Sequence, residues 1–384
     1  MRYSLFQYQE HLMSACIKDS FSTIKDPRID RKKRHSLTDI LVLTICAMLS
    51  GAEGYTAIEE FGHSKKQWLK GFLDLENGIP SHDCIRYVLI LLEPEQLQLS
   101  FVDWVNNIKE KIPEVIAIDG KTSKGSQSKC KGLSGLHMVS AWATTNKLVL
   151  AQKATEEKSN EITAIPSLLK LLDLQGCIVT IDAMGCQTSI AEQIIEQDGD
   201  YVLGLKGNQG LLHKGVKAYF LNAQQSDFKN TPHCYFEESG KEHGRHDVRK
   251  YWTIKAPSTL HRFKKWKSLN TIGMVERIST INGKTTSDVR YFISSVESDV
   301  KAFAHAVRSH WSIENTLHWC LDVTFREDDS RIRTGHAPAI MSTLRHICMN
   351  LLKKESSKLS IKQKRLNAAW NDKFRLKVLF GAEF

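Results

Sequence analysis

VIAIDG, Val115 to Gly120, decides the fold: four apolar residues in a row, the pattern of a strand covered on both faces, run straight into a carboxylate and a glycine. IVTIDAMG, Ile178 to Gly185, repeats the design. One aspartate after a strand is ordinarily a turn or cap residue, but two after strands of the same character suggest a shared purpose. Between them, LHMVSAWAT and KLVLAQKAT read as two strands split at Thr145-Asn146-Lys147, and NEITAIPSLLKLLDL reads as a helix stopped at Gly176. Beyond the second aspartate come a helix, TSIAEQIIEQ, and a strand, DYVLGLKGN. The order β-β-β-α-β-α-β predicts an α/β fold, a mixed sheet with helices packed on it. That spacing lets both aspartates emerge on the same side of the sheet.

Residues 1–110 read as helical. LTDILVLTICAML has Ser36 as its N-cap and Gly51 just beyond its end. TAIEEFGHSKKQWLKGFL follows, then GIPSHDCIRYVLILL with Ser81 as cap. Short helices with tight breaks fit a helix-turn-helix, with His82, Asp83 and Arg86 at the exposed start of the reading helix, and fit an ordinary bundle equally. Ahead of them lies RIDRKKRH, Arg28 to His35, in which Arg31, Lys32, Lys33 and Arg34 form either a solvated face or an arm for phosphates. Residues 210–300 read as a β-rich insertion: HDVRKYWTI is a strand, and ERISTINGKTTSDVRYFISS is a hairpin around Asn282-Gly283. Residues 301–384 return to helix with VKAFAHAVRSHWSIENTLHW and end in a basic helical tail, SIKQKRLNAAWNDKFRLKVLF. The expected organisation is therefore 1–110, 111–209, 210–300 and 301–384.

The 384 residues carry a net charge of +10 and a pI near 9.0, which favours an anionic partner, nucleic acid above all. Nine cysteines are scattered with no CxxC, which argues against a disulfide framework or zinc ribbon and fits a reducing compartment. Neither MRYSLFQYQEHL nor Leu37–Leu49 has the apolar length of a leader or a bilayer span, so a soluble cytoplasmic protein is expected. HGRH, His243 to His246, has no cysteine partner and is not read as a zinc site.

Two carboxylates on one sheet edge repel, and a divalent cation between them removes the conflict. Hard oxygen donors with open positions suit Mg²⁺, held together with substrate phosphates. The third acid is expected at Glu314 in HWSIENTLHW, where helical spacing sets Trp311, Glu314 and His318 on one face. Arg308 and His310 precede it, and Arg326, Arg331 and Arg333 follow. A two-carboxylate glycosidase would also use paired acids, but it explains neither the basic balance nor the arm.

VIAIDGKT, HMVSAWAT, EKSNEITAIPSLL, IVTIDAMGCQ, YVLGLKGNQG, HGR, HWSIENTLHWCLDVTFRED and SRIR follow in order. Together they resemble the DDE-type insertion-sequence transposases, in the branch of the H-repeat-associated proteins, essentially end to end. The resemblance implies an RNase H-like core with a β-rich insertion before the last acid. It implies Asp119, Asp182 and Glu314 as the catalytic residues, Asp119 bridging two Mg²⁺ (or Mn²⁺) ions and the others holding one each. The implied partner is double-stranded DNA, both element ends and target, bound by a homodimer associated with the bacterial nucleoid and not with a membrane. The residues expected along the DNA are Arg31, Lys32, Lys33, Arg34, His82, Arg86, Lys121, Lys206, Asn208, Arg308, His318, Arg326, Arg331 and Arg333. Related branches place Tyr, Arg and Lys around the glutamate as Y-x2-R-x3-E-x6-K, where this chain has Val307, His310 and Leu321. A DNA-binding relic that no longer transposes would keep the same fold and acids.

Overall fold

The computed structural model describes residues 17–381, apart from 129, 131, 156–160 and 243. The opening MRYSLFQYQEHL, the expected helix start at Asn160, His243 of HGRH and the side chain of Lys32 lie outside the described residues. Strands β1 (Val115–Ser123), β2 (Leu136–Ala143) and β3 (Leu148–Ala154) form an antiparallel meander. On the other side of β1, β4 (Ile178–Ile181) and β5 (Asp200–Leu205) add in parallel. Ile116, Ala117, Ile118, Val179 and Ile181 are buried, as central strands covered on both faces require. Helices α5 (Glu161–Leu169) and α6 (Thr188–Glu196) supply the crossovers into β4 and β5.

Past β5 the chain departs from the expected strand-rich start. Residues 210–225 form helix α7 (Gly210–Gln225), because Leu212, Val216 and Phe220 recur every fourth residue and are buried. Strands β6 (Cys234–Glu242), β7 (Arg245–Lys255), β8 (Thr271–Ile281) and β9 (Lys284–Ser294) then make a second antiparallel meander. Asn282 and Gly283 have φ of 49° and 76°, the paired positive values of a tight hairpin turn. Strand β9 pairs with β5, so the insertion extends the first sheet, giving the order β3-β2-β1-β4-β5-β9-β8-β7-β6.

The helical ends close over the first strands. In α1 (Leu37–Leu49) the Ser36 hydroxyl accepts from the Asp39 amide, and Gly51 at φ 104° follows the end. The expected second helix breaks at Lys65 into α2 (Tyr55–Ser64) and a separate turn, Lys66–Leu69. Helix α3 (His82–Leu91) is capped by Ser81, and α4 (Pro94–Ile108) starts on a proline, where a missing N–H costs nothing. Helix α8 (Val300–Ser312), capped by Asp299, packs on β1 and β4 and runs through a π-helical turn, Ile313–His318, into Trp319–Val323.

Helix α9 (Ala337–Lys354) is buried almost throughout, between α1, α3, α4 and strand β3. Its Asn350 side chain accepts from the Val149 amide at 2.9 Å and donates to the Val149 carbonyl at 2.9 Å, satisfying backbone groups on an edge strand. The basic tail, α10 (Ile361–Trp370) and α11 (Asp372–Phe380), turns key cations inward. Arg365 Nε donates to the Met48 carbonyl at the end of α1, 2.9 Å away. Arg375 lies 4.1 Å over the Trp68 ring and donates to the Ala368 carbonyl at 2.7 Å. One apolar core thus joins the first helices, the sheet and the tail. No helix among the described residues is long and apolar enough to cross a membrane.

Candidate active site

Asp119 and Asp182 are aligned by strand register. Ile118 pairs with Ile181 across the parallel β1–β4 ladder, so the residue after each stands at the same level on strands ~4.8 Å apart. Asp182 has already left β4, and its Oδ1 accepts from the Met184 amide at 2.9 Å. The loop after β5 holds the loop after β4 in place: Asn208 donates to the Ala183 carbonyl, and Gln209 to that of Cys186 at 3.0 Å. Gly204 permits this approach, because a Cβ there would stand 3.2 Å from the Ala183 nitrogen.

Glu314 is exposed in the π-helical turn. It lines a cleft of about 370 Å³ together with Asp182, Lys206, Arg290, His310 and Trp311. The widened turn breaks the single face that regular helical spacing predicts. Trp311 lies under the Arg290 guanidinium, 4.8 Å from its centroid, whereas His318 turns inward, Nδ1 3.7 Å from Asp119 Oδ2. Burial and the nearby Lys121 push the His318 imidazole down to about 4, so it is neutral at pH 7 and does not neutralise Asp119. His310 is tied to Thr180, Nδ1 to Oγ1 3.1 Å, and burial lowers its pKa.

The electrostatics centre on Asp119. Its carboxyl is pushed up to about 7, first by burial and then by the charges of Glu161, Glu314 and Asp182, against the pull of the Gly120 amide. Glu161 is the neighbour that sequence reasoning missed. It sits at the start of α5, where an acid looks like a helix-dipole residue, and lies 3.0 Å from His137 Nε2. A Cβ on residue 120 would stand 2.2 Å from Glu161 Oε1 and 2.4 Å from His137 Nε2, so glycine beside Asp119 is what admits this pair. The signal was present in EKSNEITAIPSLL, but only the three-dimensional approach to β1 exposes it. His137, Glu161, Met184 and Arg333 line a second cleft of about 490 Å³. Among the described residues, no three histidine, cysteine or carboxylate side chains already form a metal-holding group. The case for a cation rests on charge: four carboxylates share one corner, and one of them is forced towards protonation.

Lys121 faces acids. Its Nζ lies 2.8 Å from Asp322, 3.2 Å from Glu327 and 3.2 Å from Asp328, largely buried, and ties β1 to the segment after Glu314. Glu327 in turn reaches Arg345 at 3.5 Å. Lys121→Met should cost ~2–4 kcal/mol in urea unfolding, because buried Glu327 loses one of its two cationic partners and the half-buried Asp322 and Asp328 lose theirs. A loss below about 1 kcal/mol would show that the acids do not depend on it.

The other expected contacts divide by place. Lys206 is exposed beside Asp182, Arg308 lies 3.3 Å from Glu238, and Arg333 Nε donates to the Gly125 carbonyl at 3.0 Å. Arg331 is exposed, and exposed Arg326 lies 2.9 Å from Asp329. In the helical region Arg31, Arg34 and Arg86 are exposed, Lys33 pairs with Asp30 at 2.7 Å, and His82 pairs with Glu59 at 2.6 Å. Arg28, at the head of the basic run, is buried against Asp26 at 2.7 Å and does not extend the arm.

The mixed sheet places Asp119 within β1 and Asp182 just past its parallel neighbour β4, with Glu314 in the turn that follows the helix packed on both strands. Among known families, residues 110–351 match the model described as "Transposase DDE domain", and residues 18–105 the one described as "DDE_Tnp_1-associated". The chain belongs to the DDE transposase family, in the branch of the H-repeat-associated proteins. It is 40% identical over 373 residues to the "H repeat-associated putative transposase YhhI" of Escherichia coli K12, covering 95% of this chain and 98% of that one. It is 41% identical over 367 residues to the "Putative transposase YncI" of Escherichia coli O157:H7, covering 94% and 93%.

Proposed function

We propose that this chain is an insertion-sequence transposase that cuts and joins DNA through an RNase H-like core, with Asp119, Asp182 and Glu314 as its catalytic acids. The observation that carries this reading is the Asp119 carboxyl, raised to about 7 among Glu161, Glu314 and Asp182. Acids gathered this closely around one raised carboxyl make sense as ligands for cations. The strand order β3-β2-β1-β4-β5, antiparallel then parallel, supports the RNase H-like core. Two Mg²⁺ or Mn²⁺ ions held by these acids would supply activation of the attacking oxygen and stabilisation of the leaving one.

The chain's own residues do the rest. Asn208 and Gln209 fix the loop that carries Asp182, and Lys121 fixes β1 to the segment behind Glu314. Lys206, in the cleft with Asp182 and Glu314, meets the charge that develops on the phosphate oxygens. In the first step water attacks the scissile phosphate, and the released strand keeps a 3′-OH. That hydroxyl then attacks a target phosphate, one phosphodiester bond replaces another, and no high-energy cofactor is consumed. Residues 1–110, with exposed Arg31, Arg34 and Arg86, bind the element's end, 111–209 and 301–384 form the core, and 210–300 the insertion. Pairing two ends calls for a dimer on DNA.

The test is nicking of duplexes that carry the sequences flanking the gene. Nicks dependent on Mg²⁺ or Mn²⁺ and abolished by EDTA are expected. Binding without nicking under either ion would instead identify a relic that holds DNA but no longer transposes.

A further inference from the structure

The insertion strands carry a face that this reading of the acids does not use. In register, Arg249 on β7 stands opposite Arg277 on β8, and Arg277 opposite Asp288 on β9; the next row is Tyr251, Val275 and Arg290. Alternation puts Arg245, Arg249, Arg277 and Arg290 on one face. Where α8 covers that face it is apolar, with Phe303 edge-on to Tyr251 and Phe292. Away from that apolar contact the same face carries guanidinium groups. Like charges directly opposite destabilise a sheet, so Arg249 against Arg277 opposes folding and calls for another explanation.

Among the described residues, three carboxylates meet five guanidinium groups: Asp247 serves Arg245 at 3.1 Å, Arg249 at 2.8 Å and Arg277 at 3.1 Å, Asp288 pairs with Arg290 at 2.7 Å, and Glu238 with Arg308 at 3.3 Å. Among the described residues, the buried Arg277 Nε has no hydrogen-bond partner, and the Arg245 Nε contacts Asp247 without hydrogen-bond geometry. Arg245, Arg249, Arg277, Arg290 and Arg308 line a cleft of about 230 Å³ with Trp311. Arg290 and Trp311 also line the cleft that contains Asp182 and Glu314, so the two clefts adjoin across a shared wall.

We infer that this arginine-lined groove is a track for the phosphodiester backbone of the DNA strand lying at the acids, running over Arg290 and Arg308 and on to Arg249, Arg277 and Arg245. Guanidinium groups grip phosphates two oxygens at a time, and such contacts position a strand without reading its sequence. The inference rests on the proposed function, which supplies the strand, but it is tested without cleavage.

The probe is a forked oligonucleotide of arbitrary sequence, bound by the full chain in EDTA over a salt series. Arg249→Gln/Arg277→Gln should flatten the dependence of log affinity on log salt by about 1.5–2, as two lost phosphate contacts require. Asp247→Asn, if its melting curve shows it folded, should steepen the dependence, because it frees three cations. A single neutral methylphosphonate in the strand should weaken wild-type binding at one or two positions and have no effect there on the double variant. A merely structural role for the arginines would leave that position-specific coupling absent. The inference is overturned if the double variant keeps the wild-type salt slope. It is likewise overturned if polyglutamate binds through these arginines without displacing wild-type DNA, since the face would then serve an acidic protein segment. Failure of nicking leaves these readouts intact, and a failed track leaves the reading of the acids intact.

Discussion

Alanine at Asp119, Asp182 or Glu314 should each lower metal-dependent nicking by at least ~10³-fold while DNA affinity changes by less than about threefold. The magnitude follows from transition-state charge. Stabilising the attacking and leaving oxygens through held cations is worth several kcal/mol, and each 1.4 kcal/mol is a factor of ten in rate. Binding survives because the proposed DNA contacts belong to arginines, lysines and the first helices, whereas the acids repel phosphates. If the three acids hold the ions jointly, as proposed, the loss of one is not offset by its neighbours, so the three losses should not add in double variants. Single-turnover nicking with saturating enzyme separates the chemical step from binding. Any one alanine variant that still nicks at the parental rate removes that residue from the catalytic set.

The second large effect is on stability and has an unusual sign. Burial and the neighbouring acids push the Asp119 carboxyl up to about 7 in the fold, from an ordinary aspartate value of 3.8. The folded state therefore binds a proton more tightly than the unfolded chain between those values. The stabilisation this provides is complete below about pH 4 and is lost as pH rises through about 7. Without divalent metal, unfolding free energy should fall by roughly 2–4 kcal/mol across that window through this group, less where solvent screens the cleft. Asp119→Asn removes the effect and should be the more stable protein at pH 8. Adding Mg²⁺ should restore the wild type and leave the asparagine variant largely unchanged. The difference between the two proteins isolates Asp119 from buried histidines such as His346, which burial lowers to about 4 and which loses stability as pH falls. Parallel urea-unfolding curves for the two proteins from pH 4 to 8 would show that the neighbouring acids are not coupled to it.

What could be read from the sequence was local. Ser36, Ser81 and Asn282-Gly283 act within a few residues, and each performs in the fold the capping or turning its chemistry dictates. The runs before Asp119 and Asp182 could be read because strands buried on both faces leave few choices of residue. Helix α7 is obscured by Gly210, Gly215 and the polar residues around its apolar row. The turn at Ile313–His318 reads as ordinary helix, since a π-turn leaves no mark in residue spacing. Lys121, next to a candidate catalytic aspartate, reads as a phosphate ligand, yet residues some two hundred positions away set its surroundings. Glu161 poses the same difficulty in reverse, as a helix-start acid that folding brings to Asp119. Roles that depend on distant partners are not written at a residue's own position.

The inward-turned tail has a consequence for how copies of such a gene decay. A frameshift upstream of Arg365 would strip the end of α1 of its guanidinium cap and remove the strut beneath Trp68. The damage would reach the amino-terminal helices at the opposite end of the chain. On the function proposed above, truncated copies would lose end recognition and cutting together, and would not persist as dominant-negative proteins competing for intact ends.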